Sequence, residues 1–303
     1  MIAKNLPASV RARLVNRARA MDRPFEEVFQ YYAMERFLYR LSRSSYNQRF
    51  VLKGALMMRV WETRISRPTR DVDLLGQVDN SVDQLVEIVQ EVCVAKVEPD
   101  GMVFDPATVT GEQIQQGAEY EGVRIHFLGL LENARARMQI DIGFGDVVVP
   151  GPMEVRYPTL LDLPAPTLRG YSRESAIAEK FQAMVRLGAL NSRMKDFFDI
   201  WSIARKFDFD GRTLVEAVKK TFAKRGTSIE TDCVALTPAF AVSESTKRQW
   251  SAFVLKGGFV EAPQSFEEVA TFISGFLQPV AQAALHEHPF DMRWFPPGPW
   301  RAS

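Results

Sequence analysis

Arg67-Pro68-Thr69-Arg70-Asp71-Val72-Asp73-Leu74-Leu75 is the stretch on which the reading of this chain turns. Asp71 to Leu75 reads as a strand, with two acids at i and i+2. Strand side chains alternate faces, so both carboxylates point the same way, roughly 6.5 Å apart along the strand. Two carboxylates projecting together from a rigid element can hold Mg²⁺, a hard ion that takes oxygen ligands and often bridges to substrate phosphates. Upstream, Phe50-Val51-Leu52 reads as a short buried strand ending at Lys53-Gly54, where a glycine turn lets backbone approach those phosphates. The chemistry implied is phosphoryl or nucleotidyl transfer. A D-x-D pair alone is more often a solvated face, so its surroundings decide its weight.

Working outward, Ala55 to Trp61 resumes as a helix after Gly54, and Asp83 to Cys93 is the next helix. Arg124 to Leu130 and Arg137 to Val149 read as a β-hairpin joined through Leu131-Glu132-Asn133-Ala134. In its second strand Met138, Ile140 and Ile142 alternate with Gln139, Asp141 and Gly143, which sets Asp141 opposite the apolar set. Such an acid is ordinarily solvent-facing; it gains interest if this strand neighbours the D-x-D strand. Toward the N-terminus, about Ala8 to Ser44 reads as two helices. Val10, Leu14 and Ala18 recur at spacing four, and Asp22-Arg23-Pro24 breaks the run, with Pro24 suited to the first turn of the second helix. Phe25, Val28, Phe29, Tyr32, Phe37 and Leu41 then line one broad apolar face.

Prolines at 150, 152, 158, 164 and 166 mark a connection between subdomains. A helix follows from Ser172 or Ser175, as N-cap candidates, to about Gly188. A second helix carries Asp196, Phe197, Asp199, Ile200, Ile203 and Ala204 and ends before Asp210-Gly211. Further helices are expected at Arg212 to Ala223, Thr246 to Leu255 and Phe266 to Leu285. Phe295-Pro296-Pro297-Gly298-Pro299-Trp300 is too rich in Pro and Gly for regular structure.

The chain has 303 residues, 46% hydrophobic and 25% charged, enough to bury a sizeable core and too ordinary for wholesale disorder. Net charge is +1, but unevenly spread: residues 1–49 hold ten basic side chains against four acids, and Arg59, Arg64, Arg67 and Arg70 extend the excess. That imbalance suits a polyanion such as triphosphate or RNA; a solvated arginine-rich helix face is the plainer reading. Two distant cysteines and three histidines argue against a disulfide scaffold, structural zinc or a His-based metal site. No apolar stretch is long enough to span a bilayer and no signal-peptide pattern is present, so a cytoplasmic location is expected.

Nucleotidyl transfer needs acids for two Mg²⁺ ions about 3.5–4 Å apart, one at the acceptor oxygen and one at the leaving pyrophosphate. Two acids from one strand and a third from a neighbour meet that need, and Asp71, Asp73 and Asp141 fit the roles. Negative charge spreads over phosphoryl oxygens in the transition state, so nearby cations contribute by electrostatic stabilisation. Lys53, Arg70 and Lys180 are the candidates.

Leu52-Lys53-Gly54-Ala55-Leu56 followed by Arg67-x-Thr69-Arg70-Asp71-x-Asp73 resembles the opening motifs of the AbiEii/AbiGii toxin family. That family is a branch of the DNA polymerase β-like nucleotidyltransferases found in type IV toxin–antitoxin and phage-defence systems. Tyr171-Ser172-Arg173-Glu174, Ala178-Glu179-Lys180 and Arg193-Met194-Lys195-Asp196-Phe197-Phe198-Asp199 look like its remaining motifs, in the expected order. Tyr32 to Ser42 is similar to a subgroup, so the resemblance runs from roughly Val10 to Phe207.

The resemblance implies an α+β fold: a polymerase β-like core, with a small mixed sheet flanked by helices, plus N-terminal helices and a C-terminal helical portion. The expected division is basic helices at 1–49, the core at 50–157, a helical portion at 158–285 and a Pro-rich tail at 286–303. It makes Asp71 and Asp73 metal ligands and catalytic groups, with Asp141 as the third metal acid. Gly54 becomes the turn beside the nucleotide phosphates, served also by Lys53, Thr69 and Arg70. Lys180 would contact the triphosphate, Asp196 would orient Lys180 or the acceptor, and Asp199 would share that role or support packing. Many relatives carry Gly-Gly or Gly-Ser where this chain has Gly54-Ala55. Ala55 offers no side-chain donor, so Thr69, Lys53 or backbone N–H groups would hold the triphosphate.

The activity expected from this resemblance is Mg²⁺-dependent transfer of a nucleoside monophosphate from an NTP to RNA, a tRNA 3′ end, with an AbiEi-like antitoxin as partner. A protein side chain or small hydroxyl compound is the alternative acceptor, and a binding module without turnover is the alternative class.

Overall fold

Among the described residues, seven strands form one mixed sheet whose two faces differ sharply in chemistry. The structure is a computed structural model describing residues 5–62, 68–115, 121–259 and 261–302; Lys4, Arg64 and Arg67 lie outside them. The chain forms two compact units, residues 1–145 with 153–170, and 146–152 with 171–303.

The first unit opens with helices α1 (Leu6–Ala20) and α2 (Phe25–Arg43), then β1 (Phe50–Lys53), α3 (Ala55–Glu62), β2 (Asp71–Gly76) and α4 (Val82–Cys93). Three long strands follow, β3 (Val103–Gln115), β4 (Glu121–Leu131) and β5 (Ala134–Phe144), and then β6 (Met153–Arg156) and β7 (Thr167–Gly170). The sheet order is β3-β4-β5-β2-β1-β7-β6. Strand β2 runs antiparallel to β1 and parallel to β5, so the D-x-D strand lies beside the strand of Asp141.

One face of this sheet is the core. Leu52, Val72, Leu74, Val123, Ile125, Ile140 and Ile142 are all buried, each contributing about 1.5–3 kcal/mol by leaving water. Helix α2 covers that face through Phe37, whose ring centroid lies 5.0 Å from that of Phe127. Helix α4 covers it at Gly111, where a side chain would meet Val82 and Val86.

The apolar stripe expected on α2 understates its burial, because every residue from Tyr31 to Leu41 is buried. Three charges travel inward with it and are paired there. Arg36 Nη2 lies 2.7 Å from Glu35 Oε1, and Arg40 donates to both carboxylate oxygens of Asp100. Burial of these groups is tolerable because each finds a partner. The hairpin turn is tighter than expected: Glu132 and Asn133 alone separate β4 from β5, and β5 ends at Phe144 rather than Val149.

The second unit is mainly helical: α5 (Arg173–Leu187), α6 (Met194–Lys206), α7 (Gly211–Lys224), α8 (Pro238–Val242), α9 (Glu244–Gly257) and α10 (Phe266–His286). Ser172 caps α5, accepting from Ser175 N–H, and its own hydroxyl donates to the Val149 carbonyl. Strands β8 (Phe209–Asp210), β9 (Met292–Trp294) and β10 (Trp300–Ala302) form a small antiparallel sheet.

The Pro/Gly-rich run at 295–299 is irregular, as expected, and forms the turn between two paired strands, the second of which begins at Trp300. Trp294 and Trp300 are direct cross-strand partners. Their indole N–H groups donate to the carbonyls of Ala204 and Phe276. Aromatic burial with a satisfied polar edge holds a segment whose backbone alone would not form a strand.

Candidate active site

Strand pairing on the opposite face of the first sheet lines up five charged side chains from five strands. Glu112 of β3 is the direct partner of Arg124 on β4, Arg124 of Asp141 on β5, Asp141 of Asp73 on β2, and Asp73 of Lys53 on β1. Direct partners share a face, so this is one row, opposite the buried Val72, Ile140 and Leu74 set. Asp71 stands in the next row with Gln139 as its β5 partner. Asp71, Asp73, Asp141 and Lys53 are half-buried, reachable from solvent yet partly screened from it.

Gly54 ends β1 in the left-handed region, at φ +68°. A Cβ built there would lie 1.9 Å from Asp73 Oδ2 and 2.6 Å from its Cγ. Glycine is thus required twice, by backbone conformation and by the carboxylate lying against it. Ala55 is buried at the start of α3. Thr69 and Arg70 lead into β2: the Thr69 N–H donates to Tyr31 Oη at 3.1 Å, and the Arg70 carbonyl accepts from Gln30 Nε2. The Arg70 side chain is exposed.

Asp141 has partners that its alternation pattern does not reveal. Arg124 reaches it with two parallel bonds, Nε to Oδ1 and Nη2 to Oδ2, each 2.8 Å. Gln139 Nε2 adds a third at 3.1 Å. These bonds from Asp141 hold the Arg124 guanidinium above its ordinary value against partial burial, with the charges of Asp141, Asp71 and Glu112 adding to the effect. Among the described residues, no three His, Cys, Asp or Glu side chains are grouped to hold a metal ion. Asp71 and Asp73 are a pair of hard oxygen donors on one face of β2, Asp73 lying against Gly54, and Mg²⁺ is commonly held by one or two carboxylates with substrate phosphates completing its shell. The donor set fits that ion.

The second unit carries the other sequence candidates in one cluster. Lys180 of α5 places Nζ 3.2 Å from Asp196 Oδ1 and 2.7 Å from Asp199 Oδ2. Asp196 and Asp199 are three residues apart on α6, so they share a helical face. Arg193, just ahead of α6, sets Nε 2.6 Å from Asp196 Oδ2. The acid side chains are 1% exposed and that of Lys180 15%, so this is a buried ion cluster rather than a surface helical pair. Next to it on α5, Glu179 accepts from Tyr171 Oη and pairs with Arg225, which also reaches Asp146.

Sequence reasoning passed over Arg124, Gln139 and Arg193. The hairpin itself carried the signal for Arg124, since a reversal centred on Glu132-Asn133 pairs positions 124 and 141. Among the described residues, no helix is long and apolar enough to cross a membrane.

Comparison with known proteins gives the chemistry a family. No curated protein matches the chain. Two solved structures from Helicobacter pylori resemble it: a candidate nucleotidyltransferase, 14% identical over 86% of this chain and 95% of that one, TM-score 0.45, and JHP933, 13% identical over 86% and 92%, TM-score 0.45. The family profile described as nucleotidyl transferase AbiEii toxin, type IV TA system, matches residues 36–271. Spanning both the carboxylate row and the Lys180 cluster, that match makes the chain a member of the AbiEii nucleotidyltransferase toxin family.

Proposed function

We propose that this nucleotidyltransferase moves a nucleoside monophosphate from an NTP to an RNA hydroxyl, a tRNA 3′ end, using Mg²⁺ held by Asp71 and Asp73. The observation that carries the reading is the close seat of Asp73 against Gly54, where any side chain would fill the space beside the carboxylate. A Mg²⁺ pair there would polarise the phosphoryl group and steady the acceptor and leaving oxygens.

The protein's own groups then have separable tasks. Asp71 and Asp73 hold the cations from one rigid strand, and Asp141 is the third acid. Lys53, cross-strand to Asp73, brings positive charge to that row. Thr69, Arg70 and the N–H groups opening α3 serve the phosphates, a task a helix start suits because its first N–H groups lack intrahelical partners. Lys180 is the cation for the triphosphate, and Asp196 and Asp199 fix its ammonium in place. RNA as acceptor is supported by Arg11, Arg13, Arg17 and Arg19, all exposed on α1. A type IV toxin–antitoxin family implies an antitoxin partner, which we take to be AbiEi-like.

The test is incubation with each NTP labelled at its α-phosphate, Mg²⁺ and total tRNA, beside an Asp71→Ala control. Label on RNA that vanishes in the control is the expected result and names the nucleotide. Label on protein or on a small hydroxyl compound would replace the acceptor. Absence of label in every fraction would overturn transfer itself.

A further inference from the structure

The sheet imposes an electrostatic problem on the carboxylate row. Asp73 and Asp141 are direct partners on neighbouring strands, whose backbones lie about 4.8 Å apart. Like charges so placed repel. Asp71 stands on the same face, and Glu112 closes the far end of the row beyond Arg124.

Arg124 is placed between the two ends of that problem. It gives two nitrogens to Asp141 alone, the planar two-pronged geometry that matches a carboxylate best. Gln139 fixes the same carboxylate from its own strand. The guanidinium side chain is 30% exposed and that of Asp141 14%, so the pair lies open to exchange with solvent ions in a way a sealed pair does not. An ordinary cross-strand ion pair would contribute about 0–1 kcal/mol and concern nothing beyond its two members. This one sits one register step from a carboxylate assigned to the metal, and the field at Arg124 includes Asp71 as well as Asp141.

We propose that Arg124 is the counter-cation of Asp141 and yields that carboxylate when a divalent ion arrives. Arg124 is then a positioning residue, which sets the divalent concentration at which the three acids act together. The inference rests on the assignment of Asp71 and Asp73 as metal ligands.

Mn²⁺ alone, titrated calorimetrically into the nucleotide-free protein, tests it. Arg124→Gln should bind Mn²⁺ about tenfold more tightly than the wild type, as removal of one neighbouring positive charge releases Asp141. Arg124→Lys, which keeps the charge without the two-pronged bond, should fall between them and guards against a folding failure of the glutamine variant. The gain should disappear when Arg124→Gln is placed on Asp141→Asn, because the acid to be released is gone. In thermal unfolding, saturating Mn²⁺ should stabilise Arg124→Gln more than wild type. Equal Mn²⁺ affinity in wild type and Arg124→Gln, or an undiminished gain on Asp141→Asn, would overturn the role of Arg124. If Asp73→Asn still abolishes Mn²⁺ binding in that case, the metal assignment stands and only this inference falls. Failure of every variant and of wild type to bind Mn²⁺ would remove both.

Discussion

The same residue types, acids paired with Lys and Arg, are used in opposite ways in the two units. On the charged face of the first sheet, Asp141 and Arg124 have side chains 14% and 30% exposed, and their neighbours are half-buried. In the second unit, Asp196 and Asp199 are 1% exposed and Lys180 15%. Near the surface, water screens each charge and one cation can substitute for another. In the helical cluster the two acids depend on their partners, because an ion stripped of both water and counter-ion is costly. The sheet row is thus suited to exchanging cations, and the helical cluster to holding one in a fixed place.

The largest effect should come from breaking the sealed side. Lys180→Met removes the cation bonded to both buried carboxylates, and should lower unfolding stability by about 3–5 kcal/mol, read by urea denaturation. Asp73→Asn on the charged sheet face should instead leave stability within about 1 kcal/mol while reducing transfer about a thousandfold, the rate equivalent of the several kcal/mol a bound cation contributes. Equal stability losses in the two variants would erase the distinction drawn between the units.

Gly54→Ala sharpens the contrast from the backbone side. A residue with a side chain in the left-handed region costs about 1–2 kcal/mol, and here the added methyl also displaces the Asp73 carboxylate. Expected are a modest fall in melting temperature and a disproportionate loss of Mn²⁺ binding. Full Mn²⁺ affinity in this variant would show that Asp73 need not lie where it does.

Much of this architecture was legible before the structure. The order β1, glycine turn, α3, β2, α4 follows from apolar runs punctuated by Gly54 and by the D-x-D acids. Strand β3 was missed because a register irregularity between Asp105 and Thr110, around Pro106, interrupts its alternation. Strands β6 and β7 are only four residues long and sit among prolines, too short for periodicity to speak. In the tail, Pro and Gly dominate local propensity, while the two indoles that tie it down act through tertiary contacts. The acids and Lys180 were readable as motifs. Their partners were legible only in part: Arg124 follows from the register of the hairpin, and Arg193 stands in a quoted motif, but that each is a counter-ion is decided by packing.

A buried pair inside the first unit tests whether sealing, rather than unit identity, is what matters. Burial outweighs the attraction of Arg36, the Leu160 N–H and Arg59, and pushes the Glu35 carboxyl up to about 7. The folded protein therefore keeps a proton that the unfolded chain releases as pH rises above the ordinary glutamate value. This group's stabilising contribution is complete below that value and is lost as pH rises toward 7. Glu35→Gln should remove the corresponding slope from a plot of unfolding free energy against pH. An unchanged slope between pH 5 and 8 would mean that Glu35 titrates as a solvated acid does.

The smallest effects belong to the arginines of α1, and they separate two meanings of a basic sequence. Of the ten basic residues before position 50, Arg36 and Arg40 are buried against the protein's own acids, while Arg11, Arg13, Arg17 and Arg19 are exposed. Only exposed cations can release counterions from a nucleic acid, each phosphate contact adding about 0.7–0.9 to the slope of log affinity against log salt. Replacing Arg11, Arg13 and Arg17 with Gln should therefore flatten that slope for tRNA by about 2, with stability and Mn²⁺ binding unchanged. Arg36→Gln should leave the slope alone and lower stability, since it strands the buried Glu35. A tRNA salt slope unmoved by the triple substitution would take RNA off the α1 surface, and the basic excess there would be a solvated helix face.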